Sequence, residues 1–335
     1  MNWFKDIFGF EESVYAETQA NFYLEGGLLH TRTQPPRSFY AGTLTLPSLA
    51  ELRAEINSLA PTSDEKLKLS NLAADAHDLH RWPETNGALV QVASQFNLLE
   101  MPGPGTTPEQ GISGYQYDHT QGPACAMACA AATVFRNYLV QIGDQVGQTQ
   151  SNQLNTLEDL DRAINIPGIR MQNGYALLQP ETIEAIGQYI QTLDVASLDD
   201  LRQRLRIGLH SDTEVTIPGV AKTQRVSQVL CSALPVAYHR GSSRYWAPFA
   251  SLVLEASYEA TLLAGVLNFH RTGNPRVYLT LVGGGAFGNE TDWILSSLKR
   301  ALRLVRHHPL EVILVSYRHV PQELVMLVEE FNADI

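Results

Sequence analysis

The spacing of apolar positions changes along the chain, and each change predicts an element. Residues 20–46, NFYLEGGLLHTRTQPPRSFYAGTLTL, form short apolar runs broken by GG and TQPPR, which predicts strands joined by turns. Residues 47–80 predict helices. PSLAELRAEINSLA carries Pro47 in a first turn and Ser48 as a cap, and SDEKLKLSNLAADAHDLH opens with a capping residue and early acids. The pattern then shortens to GALVQVASQF, 87–96, which predicts a buried strand. A loop rich in Gly and Pro follows at 100–123, and loops of that length inside a compact domain are commonly functional or disordered. After it, ACAMACAAATVFRNYLVQIG predicts a small-residue helix.

Between 144 and 224 the patterns mix. NTLEDLDRAI, QPETIEAIGQYIQTL and SLDDLRQRLRIGL predict helices, while GIRMQNGYALL and TEVTI predict strands. From 228 onward the alternation is regular. A strand at 228–238 precedes a helix at 246–269. The strand RVYLTLV, the loop GGGAFG, a helix at 290–306, the strand EVILVSY and the helix PQELVMLVEEF complete the chain. Apolar strands alternating with helices predict an α/β sheet buried on both faces.

With 335 residues, the chain is long enough for one large domain or two ordinary ones. Its formal net charge of −11 disfavours nucleic acid as a partner, since phosphate neutralisation needs a basic surface. It does not exclude one small anion held by backbone N–H groups. Cys125 and Cys129 form a C-x3-C pair, and with Cys231 they complete no zinc site, so no metal is expected. So few cysteines suit a reducing compartment. The N-terminal stretch carries Lys5, Asp6, Glu11 and Glu12 and lacks a signal-peptide core. No run reaches the roughly 18 apolar residues of a membrane span. The expected setting is cytoplasmic, with no membrane partner.

The stretch VGGGAFGNE, 282–290, lies between a predicted strand and a predicted helix. Gly283, Gly284, Gly285 and Gly288 allow positive φ and close backbone approach. Their N–H groups and the helix N-terminus suit a phosphate. The stretch matches neither G-x-G-x-x-G nor a P-loop, and no Lys follows it, which disfavours an ATPase. The plainer reading is a tight turn with Phe287 in the core.

VASQFN at a strand end, the long loop, the small-residue helix, LTLVGGGAFGNE before a helix, and VILVSY together resemble the macrodomain superfamily. The likeness is to the poly(ADP-ribose) glycohydrolase-like branch and related bacterial proteins, over about residues 87–320. The resemblance implies a macrodomain-like three-layer α/β/α sandwich with a mixed sheet. Residues 1–80 would be an N-terminal extension packed on the core. Residues 81–335 would be an ADP-ribose-binding domain with a helical insert at about 144–224. It further implies that Asn97 bonds the distal ribose. Gly284, Gly285, Ala286 and Phe287 would hold the diphosphate, within a motif running from Gly283 through Gly288 to Asn289. Tyr317 would stack on adenine or stand at the rim, and Tyr40 would contribute on the adenine side. The branch's paired glutamates are missing; their place holds ISGYQYDHTQGPACAMA, 112–128.

Hydrolysing an ADP-ribosyl bond passes through an oxocarbenium-like state at C1 of the distal ribose. A carboxylate stabilises that charge or activates water, and an acid assists the leaving group. Asp118, Glu109 and Glu100 are the candidate carboxylates, and Gln121 is placed to orient water or substrate. Each has a plainer reading: Asp118 and Thr120 as helix caps, Glu109, Glu100 and His119 as surface residues. A separate chemistry would use Cys125 as a nucleophile at a helix start, with His119, His239 or His270 as base, against a reading of Cys125 as buried packing. Arg240, Arg244 and Trp246 are candidate rim residues. KRALRLVRHH, 299–308, reads as a solvated helix face. The expected function is an ADP-ribosylhydrolase acting on modified protein side chains, arginine-linked ones among them, without a cofactor. A non-catalytic ADP-ribose reader is the alternative.

Overall fold

Seven strands form one mixed sheet: β1 (Thr43–Thr45), β2 (Lys68–Ala73), β3 (Leu89–Ala93), β4 (Gly208–Glu214), β5 (Arg225–Cys231), β6 (Arg276–Leu279) and β7 (Glu311–Ser316). Their spatial order is β1-β4-β5-β3-β6-β7-β2. The structure is a computed structural model describing residues 2–59, 66–239 and 243–334. From β5 to β2 every neighbouring pair is parallel; β4 is antiparallel to both β5 and β1. Residues before 80 therefore supply both edge strands.

The central strands are apolar on both faces, as a sheet covered on both sides requires. On one face Leu89, Val229, Val277, Leu279, Val312 and Leu314 join the main core. On the other, Val90, Val92, Leu230 and Tyr278 pack with Leu79 and Cys125. The first layer is built on α5 (Ala247–Thr272). Against it lie α1 (Leu49–Asn57), α3 (Pro180–Thr192), α4 (Val195–Arg202) and α6 (Thr291–Val305); α7 (Gln322–Ala333) covers β2. The second layer holds α2 (Gln121–Ala128) and the short helices after it. The mixed three-layer α/β/α class expected from the sequence is the one observed.

Helix α1 begins as predicted, with Ser48 and Glu51 forming a reciprocal capping box. Helix α5 corrects one expectation, because it is long and apolar enough to cross a membrane, yet it is mostly buried inside the protein. Its apolar surface runs all round, which marks a core helix. Glu255 and Glu259 interrupt the apolar run, and buried Glu259 is neutralised by Arg53 at 2.6 Å and Arg300 at 2.5 Å.

The second predicted helix of 47–80 is also corrected. Its expected cap, Ser63, lies outside the described residues. Residues 68–73 are strand β2, paired in register with β7. Leu69 is buried between exposed Lys68 and Ser70, a period of two, and ladder pairing overrides local helix propensity. Only Ala76–Leu79 is helical, capped by the Asp75 carboxylate. The small-residue helix breaks after Ala128, where Thr216 enters its ladder. Thr216 N–H donates to Ala128 O, and its hydroxyl accepts from Ala130 N–H. The helix expected at 197–209 stops at Arg202. Gly208 opens β4, where a Cβ would meet Leu98 at 2.5 Å.

Residues 2–41 build a separate aromatic cluster. Phe4, Phe8 and Phe22 pack with Ile112, Tyr115 and Tyr138 of the second layer. This ties the N-terminal segment to the loop that precedes α2.

Candidate active site

The carboxyl ends of β2, β3, β6 and β7 open into one cleft, the usual ligand position in an open α/β sheet. One part is a cavity of about 340 Å³ bounded by the strand end at 93–95, Glu100, the start of α2, Tyr175 and the glycine loop. A second cavity of about 450 Å³ extends past Asp75, His77 and Tyr317. Asp118, His119, Thr120, Gln121, Thr280 and Tyr317 line both, so the two are continuous.

The glycine loop is closed on itself. Gly284 N–H donates to Leu281 O, Gly288 N–H to Gly285 O and Asn289 N–H to Gly283 O, at 2.9–3.1 Å. The Asn289 amide donates to Leu234 O at 2.9 Å and to Gly283 O at 3.3 Å, pinning the loop from below. Gly283 adopts φ +81°, and a Cβ there would lie 2.5 Å from the Ala233 Cβ. These bonds leave the N–H groups of Gly285, Ala286 and Phe287 without an acceptor among the described residues. All three residues line the cleft. Consecutive N–H groups without an acceptor, in the loop between β6 and α6, can serve as an anion cradle. The structure thus brings Gly283, Gly285, Ala286 and Phe287 to the cleft. The Gly284 and Gly288 N–H groups are spent inside the loop, and Asn289 is buried beneath it, so these three act as loop architecture.

Phe287 meets Tyr175 and Tyr238 with ring centroids 5.3 and 5.8 Å apart. The Tyr175 hydroxyl donates to Met101 O at 2.7 Å, which fixes this aromatic wall. Neither tyrosine was singled out from the sequence. Tyr175 comes from the 170–177 hairpin, inside the segment of mixed pattern, where no local signal points at the cleft. Asp75 and His77 were hidden by the helix expected over them. Tyr317, 60% exposed, stands at the end of β7 and lines both cavities.

Glu100 and Asp118 line the inner cavity, while Asp75 and Asp78 line the outer one. Glu100 is 2% exposed, and one of its carboxylate oxygens has no hydrogen-bond partner among the described residues. Burial pushes its carboxyl up to about 8; buried Arg136 opposes the shift and Asp118 adds to it. Glu100 is therefore protonated at neutral pH. A tight turn presents it. The Gln95 side chain spans Met101 N–H and O, Leu98 holds φ +64°, and Arg136 Nε donates to Leu98 O at 2.9 Å. The start of α2 lies against it, since a Cβ on Gly122 would run into the Glu100 carboxylate. Asp118 is partly exposed and lines both cavities. One of its oxygens accepts Thr120 N–H at 2.9 Å, so it shapes the turn into α2, while its other oxygen makes no hydrogen bond among the described residues.

Several expected site residues are placed elsewhere. Asn97 is fully buried: it donates to Gln153 at 2.8 Å and accepts Leu99 N–H at 3.1 Å. The chain turns inward after Phe96, and Glu100 takes the position facing the cleft. Glu109 accepts Gln150 N–H at 2.8 Å and lies beside Tyr15, off the cleft. Gln121 lines the cleft, but its amide continues the β3 ladder. It accepts Ala93 N–H and donates to Gln91 O and Cys125 Sγ, so no donor remains for water or substrate.

Tyr40 stacks under Arg225, at the opposite end of the sheet from the cleft. Trp246 is buried against His239, and Arg244 lies on Tyr245; neither lines the cleft. Arg240 lies outside the described residues. The nucleophile reading of Cys125 is overturned. The thiol is fully buried, and burial pushes it well above the usual range; Cys129 and Cys231 are pushed up to about 12 by the same cause. Among the described residues, no group of three His, Cys, Asp or Glu side chains is arranged to hold a metal ion.

No family model matches the chain, and no curated protein matches it. Among solved structures it is similar to poly(ADP-ribose) glycohydrolase from Deinococcus radiodurans in complex with ADP-ribose. The TM-score is 0.45 at 11% identity, covering 87% of this chain and 94% of that one. It is also similar to poly(ADP-ribose) glycohydrolase from Thermomonospora curvata, with a TM-score of 0.44 at 11% identity, covering 95% of this chain and 94% of that one. These overlaps are modest.

Proposed function

We propose that the cleft binds ADP-ribose and that the protein hydrolyses the bond joining it to a modified protein side chain. One observation carries this reading: three consecutive residues whose N–H groups have no acceptor among the described residues, 285–287, line a cleft that also holds a buried acid, Glu100, its carboxyl pushed up to about 8, and a partly exposed acid, Asp118. The amides suit a diphosphate, the Phe287–Tyr175–Tyr238 wall suits a ribose face, and Tyr317 suits a base at the open end.

The two acids divide the chemistry. Glu100 gives its proton to the leaving atom as the C1 bond breaks. Asp118 stabilises the oxocarbenium-like centre and takes a proton from the water whose oxygen bonds to C1. The products are free ADP-ribose and the restored side chain. Arginine-linked mono-ADP-ribose is the linkage we put first, because a protonated acid suits a nitrogen leaving group and two acids at an open cleft need no polymer.

The test is calorimetry with ADP-ribose, followed by release assays on arginine-, glutamate- and serine-linked substrates. Binding with release from one linkage supports the reading and names the bond. Saturable binding without release from any makes the protein a reader. No binding ends both.

A further inference from the structure

We infer that Glu12, in the N-terminal segment, is a positioning residue that fixes the two acids of the cleft relative to one another; this rests on the hydrolase reading above. The link is a single five-residue 3-10 turn, Ser113–Tyr117. Its exit is Asp118, whose N–H donates to Tyr115 O at 3.1 Å. On its flank, the buried Tyr115 hydroxyl accepts the backbone N–H of Glu100 at 2.9 Å. One turn therefore touches both acids.

Glu12 seals the entrance to that turn. Ile112 N–H donates to its two carboxylate oxygens at 2.8 and 3.0 Å, and Ser113 N–H donates at 2.6 Å. The Tyr138 hydroxyl donates to the same carboxylate at 2.6 Å. These are charge-assisted bonds to N–H groups that a helical turn leaves orphaned at its start. Two further features mark the contact as fitted. Trp3 Nε1–H donates to Ser113 O at 3.0 Å. Gly111 holds φ +83° directly against the carboxylate, where a Cβ would run into it. None of these groups touches the diphosphate cradle or Tyr317. Loss of Glu12 should therefore move the acids and spare ADP-ribose binding. A displacement of about 1 Å at reacting groups lowers rates by as much as about 100-fold.

The experiment compares wild type, Glu12→Gln and Trp3→Phe, each as the full chain. The readouts are the Kd for free ADP-ribose by calorimetry and kcat and KM on the linkage that wild type cleaves. Glu12→Gln is expected to lower kcat about 10- to 100-fold, with Kd and KM within about twofold of wild type. Trp3→Phe, which keeps an aromatic ring in the cluster and loses the hydrogen bond to Ser113 O, should move kcat the same way by a few-fold. Wild-type kcat in Glu12→Gln overturns the proposal. So does a parallel loss of kcat and ADP-ribose affinity, which would make Glu12 a general support of the fold. If wild type releases nothing, the hydrolase reading fails on its own, and hydrogen exchange decides the anchoring. Faster exchange at Glu100, Ile112 and Ser113 in Glu12→Gln, with the hydrogen-bonded loop amides of Gly284, Gly288 and Asn289 unchanged, sustains it; unchanged exchange overturns it.

Discussion

Glu100 and Asp118 occupy one cleft in different environments, and that difference assigns their roles. Glu100 is buried, with its carboxyl pushed up to about 8, so it holds a proton at neutral pH. If it is the acid, turnover falls as pH rises through about 8. Glu100→Gln should lower the rate and abolish that limb, and a pH–rate profile reads both. Wild-type turnover undiminished above pH 9 removes Glu100 from the proton transfer. Asp118→Asn is the sharper test of the second acid. The amide oxygen can still accept Thr120 N–H, so the turn is kept and only the charge is lost. We expect turnover to fall by about 100-fold or more, with ADP-ribose affinity and melting temperature held. The sequence made both acids legible, because each lies in the long loop between a buried strand and a small-residue helix. It could not separate them from Glu109, or place Asn97, since which side chain faces inward after Phe96 is set by a left-handed Leu98 and by partners more than fifty residues away.

The glycine loop is the element on which binding depends, and its glycines are not equivalent. Gly283 needs a left-handed backbone and has no room for a Cβ beside Ala233. Gly285 has open space around it and no such backbone demand. Gly283→Ala is therefore expected to distort the cradle and weaken ADP-ribose binding at least tenfold, with a loss of roughly 1–2 kcal/mol in stability from the forced conformation. Gly285→Ala should leave stability unchanged. Calorimetry and thermal melts separate the two; equal binding in both variants would mean the loop does not hold the anion. The strand–glycine loop–helix order was legible because strand, loop and helix differ in period within a few residues. The division of labour inside the loop was not, because it depends on Ala233 and Leu234 after another strand.

At the scale of the molecule, the sheet gathers its strands from across the chain. Both edges come from the first 80 residues, and β2 escaped the sequence reading because its strand character comes from pairing with β7, some 240 residues away in sequence. The same long-range packing buries Glu100, so a group serving the cleft carries a cost for the whole fold. Its folded-state pKa of about 8 lies above the ordinary 4.5, so the native state keeps a proton that the unfolded chain gives up in that window. Stability from this group is complete below about pH 4.5 and is lost as pH rises through about 8, by up to about 5 kcal/mol. Buried His80, lowered to about 4 by desolvation, acts in the opposite direction below pH 6.5, so the wild-type curve alone is ambiguous. The difference between Glu100→Gln and wild type isolates the carboxyl. Denaturant titrations at pH 5, 7 and 9 should show the Gln variant gaining steadily on wild type and being the more stable at pH 9. A gap that stays constant over that range would mean that Glu100 is solvated in the native protein, and its assignment as the acid would fail with it.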